Sequence, residues 1–213
     1  MSVSIQHPLD PGQRAAAAGL YLQAFEGKIG GVLGPQEYAL AFLAAILNPW
    51  QAIAALQGDR LVGLVGFKTG DRGMMSCGLR DFARVYGWPG ALWRAPLLSL
   101  LDRDAGPATL QMDGICVDLH ARGQGIGTAL LQAVYAMAQQ SGCRAISLDV
   151  IDTNPRAAAL YRREGFHPVR VQRIGPLRRV FGFSSATTMI RPVAPEANAT
   201  APGPHPAKTA ARL

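Results

Sequence analysis

The chain has 213 residues, 49% of them apolar, and a formal net charge of +7. That length suits one domain with a sizeable core and is short for two, and the apolar fraction excludes a disordered chain. No run approaches the roughly 20 uninterrupted apolar residues of a membrane-spanning helix, whereas the charge excludes little, since basic proteins attract nucleic acid, anionic lipid and phosphorylated ligands alike.

The three cysteines, Cys77, Cys116 and Cys143, are far apart and odd in number. They fit reduced thiols, with neither a disulfide framework nor zinc-ligand spacing. Residues 1–12 lack a basic start and an apolar run, so no secretory signal is predicted. The expectation is a cytoplasmic, metal-free protein.

In chain order, residues 3–6 read as a strand, and residues 11–25 as a helix led in by Pro11. A glycine-rich loop is predicted over Gly27, Gly30, Gly31 and Gly34. Pro35 then starts a second helix with an apolar stripe at Tyr38, Phe42 and Ile46. Residues 52–56 and 61–67, split by Gln57-Gly58-Asp59-Arg60, read as a hairpin. Within 71–105, residues 79–86 and 91–101 look helical and are broken at Gly87-Trp88-Pro89-Gly90. Strand 110–117, helix 126–141, strand 145–150 and helix 154–164 follow, a spacing that implies a parallel crossover. Residues 167–174 and 186–191 supply two closing strands, and 194–213 read as a disordered tail of Ala, Pro and Thr. The organisation expected is a domain over 1–193 with an insertion at 71–105.

Between the strand at 110–117 and the next helix runs Val117-Asp118-Leu119-His120-Ala121-Arg122-Gly123-Gln124-Gly125-Ile126-Gly127-Thr128. The first N–H groups of a helix lack internal partners, and the helix dipole adds partial positive charge there. Glycines let the backbone curl close to a phosphate, and Arg122 adds charge and donors. The loop is therefore predicted to bind a phosphate or pyrophosphate. A P-loop requires Gly-Lys-Ser/Thr, which Thr128-Ala129 after Gly127 does not supply. The dinucleotide pattern G-x-G-x-x-G/A fails at Thr128 in one register and at Leu130 in the other, although Asp149 stands about where a ribose-binding acid falls.

Arg122-x-x-Gly125-x-Gly127 resembles the R/Q-x-x-G-x-G/A signature of the GNAT acetyltransferase superfamily. The segment Asn154-Pro155-Arg156-Ala157-Ala158-Ala159-Leu160-Tyr161-Arg162-Arg163-Glu164-Gly165-Phe166 resembles that family's N-x-x-A-x-x-L-Y-x-x-x-G-F. Capping rules account for Asn154, Pro155 and Gly165, but not for Tyr161. The resemblance implies an α/β fold with a mixed, mostly antiparallel sheet, a parallel splayed pair of strands, and flanking helices.

It further implies an acetyl-CoA-dependent N-acetyltransferase that moves acetyl directly to a primary amine in a ternary complex. The coenzyme contacts implied are Ile115, Cys116 and Val117 for the pantetheine, Arg122, Gly123, Gln124, Gly125, Ile126, Gly127 and Thr128 for the pyrophosphate, and Asn154, Arg156 and Tyr161. Asp149 is the first candidate for general base and Asp113 the second, with Tyr161 as the acid that protonates the leaving thiolate. His120 is read as facing solvent or phosphate, and Cys116 as a buried thiol. The acceptor site is expected at 26–34 with 71–105 packed over or beside it, and Glu26 and Glu37 are candidates to attract an ammonium group. A small amine or a protein N-terminus remains open as acceptor, as does a homodimer, and no dedicated nucleic-acid site is expected. Three alternatives stand beside this reading: a non-catalytic CoA-binding sensor, a dinucleotide-binding protein, and a binder of nucleic acid or an anionic membrane surface.

Overall fold

The computed structural model describes residues 2–70, 72–99 and 106–194. Apart from Ala194, the predicted tail lies outside the described residues.

The chain begins with β1 (Ser4–Gln6), a 3-10 turn, and α1 (Arg14–Phe25). The predicted glycine loop is helical instead. Glu26–Gly30 forms a π-helical turn that runs into α2 (Gly31–Leu33). Glycine's poor helix propensity disguises this segment, but tertiary burial overrides it: Ile29, Val32 and Leu33 are all buried. The helix that follows, α3 (Gln36–Ile46), turns Ala39, Phe42 and Leu43 inward. Tyr38, expected on the buried stripe, is exposed and lies beside Tyr86 instead. The small Ala39 takes the inward position and lets α3 approach its neighbours closely.

The hairpin forms as predicted, from β2 (Ala52–Gln57) and β3 (Arg60–Thr69), and β4 (Arg72–Gly73) adds a short pairing to β3. Helix α4 (Leu79–Ser99) is two helices joined at Gly87, whose backbone leaves helical geometry at φ 67, ψ 167. Next come β5 (Thr109–Val117), α5 (Ile126–Gln140), β6 (Ala145–Ile151) and α6 (Pro155–Arg163). The chain closes with β7 (His167–Arg173), α7 (Arg178–Phe181) and β8 (Ser185–Pro192). No local signal marks α7, which is four residues long and lacks an apolar period of its own.

The strand order is β1-β2-β3-β5-β6-β8-β7, with β4 against β3. Among the described residues every pairing is antiparallel except β5 with β6, the parallel crossover expected from the spacing. The protein is thus an α/β fold built on a mixed, mostly antiparallel sheet. One face is covered by α5 and α6. Ile126, Leu130, Leu131, Val134 and Ala138 of α5 bury against Ile53, Val65, Leu110 and Ile146 of the sheet. Gly63 of β3 makes room for this contact, because a Cβ there would lie 2.9 Å from Ile126 Cγ2. On the opposite face, Ala17 and Leu20 of α1 pack on Ala54, Leu64 and Cys116. A further layer behind α1 joins it to α3 and α4 through Ala18, Leu22, Phe42 and Phe82. Among the described residues, no helix is long and apolar enough to cross a membrane.

Candidate active site

Two irregularities in β5 create the site. Its parallel ladder with β6 contains only three pairs, from Thr109↔Ala145 to Gln111↔Ser147, after which the strands diverge. On its other edge, β5 pairs Gly114 with Gly66 and Met112 with Phe67, so Asp113 is an extra residue in a β-bulge. Bulges bend a strand and re-aim its side chains. Here the bulge brings Asp113 and Gly114 to the α1 side together. Asp113 Oδ2 accepts a hydrogen bond from the Met74 N–H at 2.8 Å, and a Cβ on Gly114 would lie 2.7 Å from Phe25 Cζ.

The divergence leaves a cleft of about 340 Å³ between the strands. Gln111 to Ile115 wall one side and Leu148 to Ile151 the other, with Asn154, Ala157 and Tyr161 of α6 along it. Phe25, Phe181 and Gly182 reach it from distant parts of the chain. Of the predicted pantetheine contacts, Ile115 lines the cleft, while Cys116 and Val117 do not. The Cys116 side chain points to the α1 side, with its Sγ 3.6 Å from the Leu64 carbonyl, and burial pushes its thiol pKa up to about 12.

Tyr161 is buried to 6% exposure, with its ring edge-on to Phe166 at 5.9 Å. Burial, reinforced by Cys116, holds its phenol pKa well above the ordinary tyrosine value. Asp149 lies half-buried along the cleft, and its Oδ1 accepts from the Thr188 hydroxyl at 2.6 Å. The α6 cap forms as read: Asn154 Oδ1 accepts from the Ala157 N–H at 3.1 Å.

The glycine loop is anchored at its start. Asp118 receives the His120 N–H at 2.8 Å and pairs with Arg60 at 2.6 Å. That backbone hydrogen bond and the guanidinium together hold its carboxyl pKa below the usual value. Gly123 and Gly125 adopt φ of +80° and +77°, in the left-handed region that side chains resist, and a Cβ at either would meet no atom within 4 Å. Gly125 is the residue before α5 and makes no side-chain cap, so the N–H groups of Ile126, Gly127 and Thr128 start the helix without intrahelical partners. Arg122 is exposed beside them, and its Nε donates to the Val117 carbonyl at 3.3 Å.

Not every member of the motif serves this cradle through its side chain. Gly127 is small because α6 lies against it, with a Cβ there falling 3.0 Å from Leu160 Cδ2. The Thr128 hydroxyl donates to Glu164 at 2.8 Å, and Gln124 accepts from Gln57 at 2.8 Å. His120 and Arg156 are exposed.

A second cavity, of about 670 Å³, lies on the α1 side of the sheet. It shares Phe25 and Asp113 with the cleft. Ile29 and Leu33 from the π-helical turn and α2 line it, as do residues 75–79 and 82 and the second half of α4. Glu26 and Glu37 are exposed and line neither cavity. Tyr21, Phe25, Phe181 and Gly182 were missed by sequence reasoning, because only the folded chain brings these isolated residues to the site.

The site is thus a mixed sheet whose parallel pair opens into a cleft beside a glycine-rich helix start. A family model described as Acetyltransferase (GNAT) family matches residues 31–166, and the chain belongs to that family. It is 33% identical over 85 residues to the mycothiol acetyltransferase of Corynebacterium jeikeium. That match covers 40% of this chain and a quarter (25%) of that relative. Among solved structures, the ribosomal-protein-S18-alanine N-acetyltransferase of Escherichia coli superposes with a TM-score of 0.57 at 16% identity, covering 93% of this chain and 98% of that one. Ard1 from Thermoplasma volcanium gives a TM-score of 0.60 at 14% identity over 91% of this chain and 99% of that one. A chain of the NatC complex bound to Gag peptide and CoA gives 0.58 at 18% identity, over 91% and 100% respectively. These likenesses show the fold.

Proposed function

We propose that this protein is an acetyl-CoA-dependent N-acetyltransferase that passes the acetyl group directly to a primary amine held in the same complex. The observation that carries this reading is the shared wall of the two cavities. The cleft behind the glycine loop and the larger cavity meet at Asp113 and Phe25, so a donor in one and an acceptor in the other would approach at that wall.

The residues present fit the coenzyme. The open left-handed turn at Gly123 and Gly125, the first amides of α5 and the Arg122 guanidinium suit its pyrophosphate. Beyond Gln111, the edge of β5 facing β6 has left the ladder, which leaves backbone groups up to Ile115 along the cleft for the amides of a pantetheine arm. Asn154 and Arg156 stand at the start of α6, beside the cleft. Bound there, acetyl-CoA supplies an activated acetyl thioester.

The chain's own residues then supply binding, orientation and proton handling. An amine attacks only in its neutral form, so a base must take its proton. Asp113 fits that role better than Asp149, because it borders both cavities whereas Asp149 borders the cleft alone. Asp149, tied to Thr188, is then left to hold β6 against β8. Tyr161 stands in the cleft as the proton donor to the leaving thiolate. Its raised pKa keeps it protonated across the physiological range. A fixed backbone N–H of β5 would support the developing oxyanion.

The test is calorimetric titration with acetyl-CoA followed by turnover of Tyr161→Phe. We expect binding to be retained while kcat falls about a hundredfold. Unchanged kcat would remove Tyr161 from the chemistry. Absent coenzyme binding, the enzymatic reading falls.

A further inference from the structure

The larger cavity is chemically lopsided. Its end at the shared wall is polar, with Asp113, Ser76 and Lys68. The rest runs between α1, α3 and α4 and is walled mainly by aliphatic and aromatic side chains, with the Ser99 hydroxyl at its α4 end turned to the Pro96 carbonyl. Phe42 and Phe82 stack there with centroids 4.4 Å apart, while Tyr21 and Phe25 sit at 4.5 Å near the wall. Leu33, Leu43, Met75 and Leu98 complete the apolar part. A nucleophile must sit at the polar end, because only that end adjoins the cleft. Whatever is attached to it must therefore extend among apolar residues. At about 670 Å³ the cavity lies within the range of sites that enclose a drug-sized ligand, well above the needs of a two-carbon amine.

From this geometry we infer that the acceptor is a primary amine borne on a bulky apolar group, with its nitrogen at Asp113 and its apolar body between α3 and α4. The inference rests on the acetyltransferase reading and names the acceptor class within it. Polyamines and sugar amines are disfavoured, since each polar group carried into the apolar end would lose its water without gaining a partner. The same chemistry could come from a free arylalkylamine or from a peptide whose first residue is large and apolar. The segment read as an insertion thereby acquires a role: Phe82 and Leu98 are contributed by the two halves of α4.

The experiment starts with acetyl-CoA calorimetry, then measures acetyl transfer and binding to the CoA-saturated protein for four acceptors: tryptamine, a pentapeptide beginning with Leu, spermidine and kanamycin. We expect tryptamine or the peptide to exceed both polar amines at least tenfold in kcat/KM, and the winner identifies the source. Ala95→Trp, which fills the apolar end, should raise KM for that acceptor about tenfold and leave acetyl-CoA affinity unchanged. Equal or better use of spermidine or kanamycin overturns the inference, as does an unchanged KM in Ala95→Trp. Intact acetyl-CoA binding with neither binding nor turnover of either apolar acceptor also overturns it, while leaving the coenzyme site standing. A preference for octanoyl-CoA, lost in Ala95→Trp, would reassign the cavity to the donor's acyl chain. Loss of acetyl-CoA binding itself would strike the underlying reading instead.

Discussion

The proposed coenzyme half and the proposed acceptor half of this molecule are built on opposite principles. The first, from β5 through α6, is a contiguous stretch in which backbone conformation makes the binding groups: a left-handed glycine pair, a helix start and a strand edge. The second gathers isolated side chains from α1, α3, α4 and the β5 bulge around a cavity. Backbone sites depend on a few local residues and carry short motifs. Side-chain cavities depend on how separate helices pack, and single positions can vary with compensating changes in volume.

The largest effect should come from a charge placed in the backbone cradle. Gly125→Asp combines a strained left-handed side chain with a like charge at the proposed pyrophosphate site. It should weaken acetyl-CoA binding about a thousandfold by calorimetry. Near-normal affinity would remove the coenzyme from this loop and dissolve the contrast between the halves.

The junction between the halves is probed by a pair of carboxamides. Asp113→Asn should lower kcat about a hundredfold at neutral pH, with acetyl-CoA affinity retained, whereas Asp149→Asn should cost several-fold less. The reverse ranking, measured with one acceptor across pH 6 to 9, would place the base on β6 rather than on the bulge.

A smaller effect tests the buried side of β5. The folded Cys116 thiol has its pKa pushed up to about 12 from an ordinary 9.0. Above pH 9 the unfolded chain loses this proton while the folded chain keeps it. Stability is therefore lost as pH rises from 9 toward 12, and none of this loss occurs below pH 9. At pH 10.5 the cost is about 2 kcal/mol. Denaturant unfolding of Cys116→Ala should lack that share of the alkaline slope. The raised Cys143 thiol leaves a residual slope beginning near pH 9, and the raised phenols of Tyr21, Tyr86 and Tyr161 add to it above pH 10. An identical slope in both proteins would mean that Cys116 is not shielded as the packing indicates.

The smallest effect sharpens the distinction inside the motif itself. If Gly127 is small for the sake of Leu160 rather than the coenzyme, Gly127→Ala should leave acetyl-CoA affinity within about twofold. Its stability should shift by no more than about 1 kcal/mol, as the gained helix propensity offsets crowding against Leu160. A large loss of affinity would return Gly127 to the ligand side.

These contrasts show where the sequence was sufficient. The glycine turn before α5, the Asn154 cap, the hairpin at 58–59 and the parallel crossover all follow from local rules: turn chemistry, capping, and the length of chain needed to return in parallel. Tyr161 was legible through family resemblance, with nothing local requiring a tyrosine there. The helical turn at Glu26–Gly30 was not legible, since four glycines between 27 and 34 argue for a loop and only the burial of Ile29, Val32 and Leu33 argues otherwise.

By itself, then, the sequence determined the order of the main strands and helices and the glycine turn that opens α5, because both depend on neighbours a few residues apart. The tertiary structure alone decided that Asp113 is the bulged residue, that Gly127 lies against Leu160, and that Phe25, Phe42, Phe82 and Leu98 share one cavity. A bulge exists only relative to a partner strand, and a cavity only relative to the helices that fail to fill it. Both are properties of contacts between segments far apart in the chain, which no local pattern records.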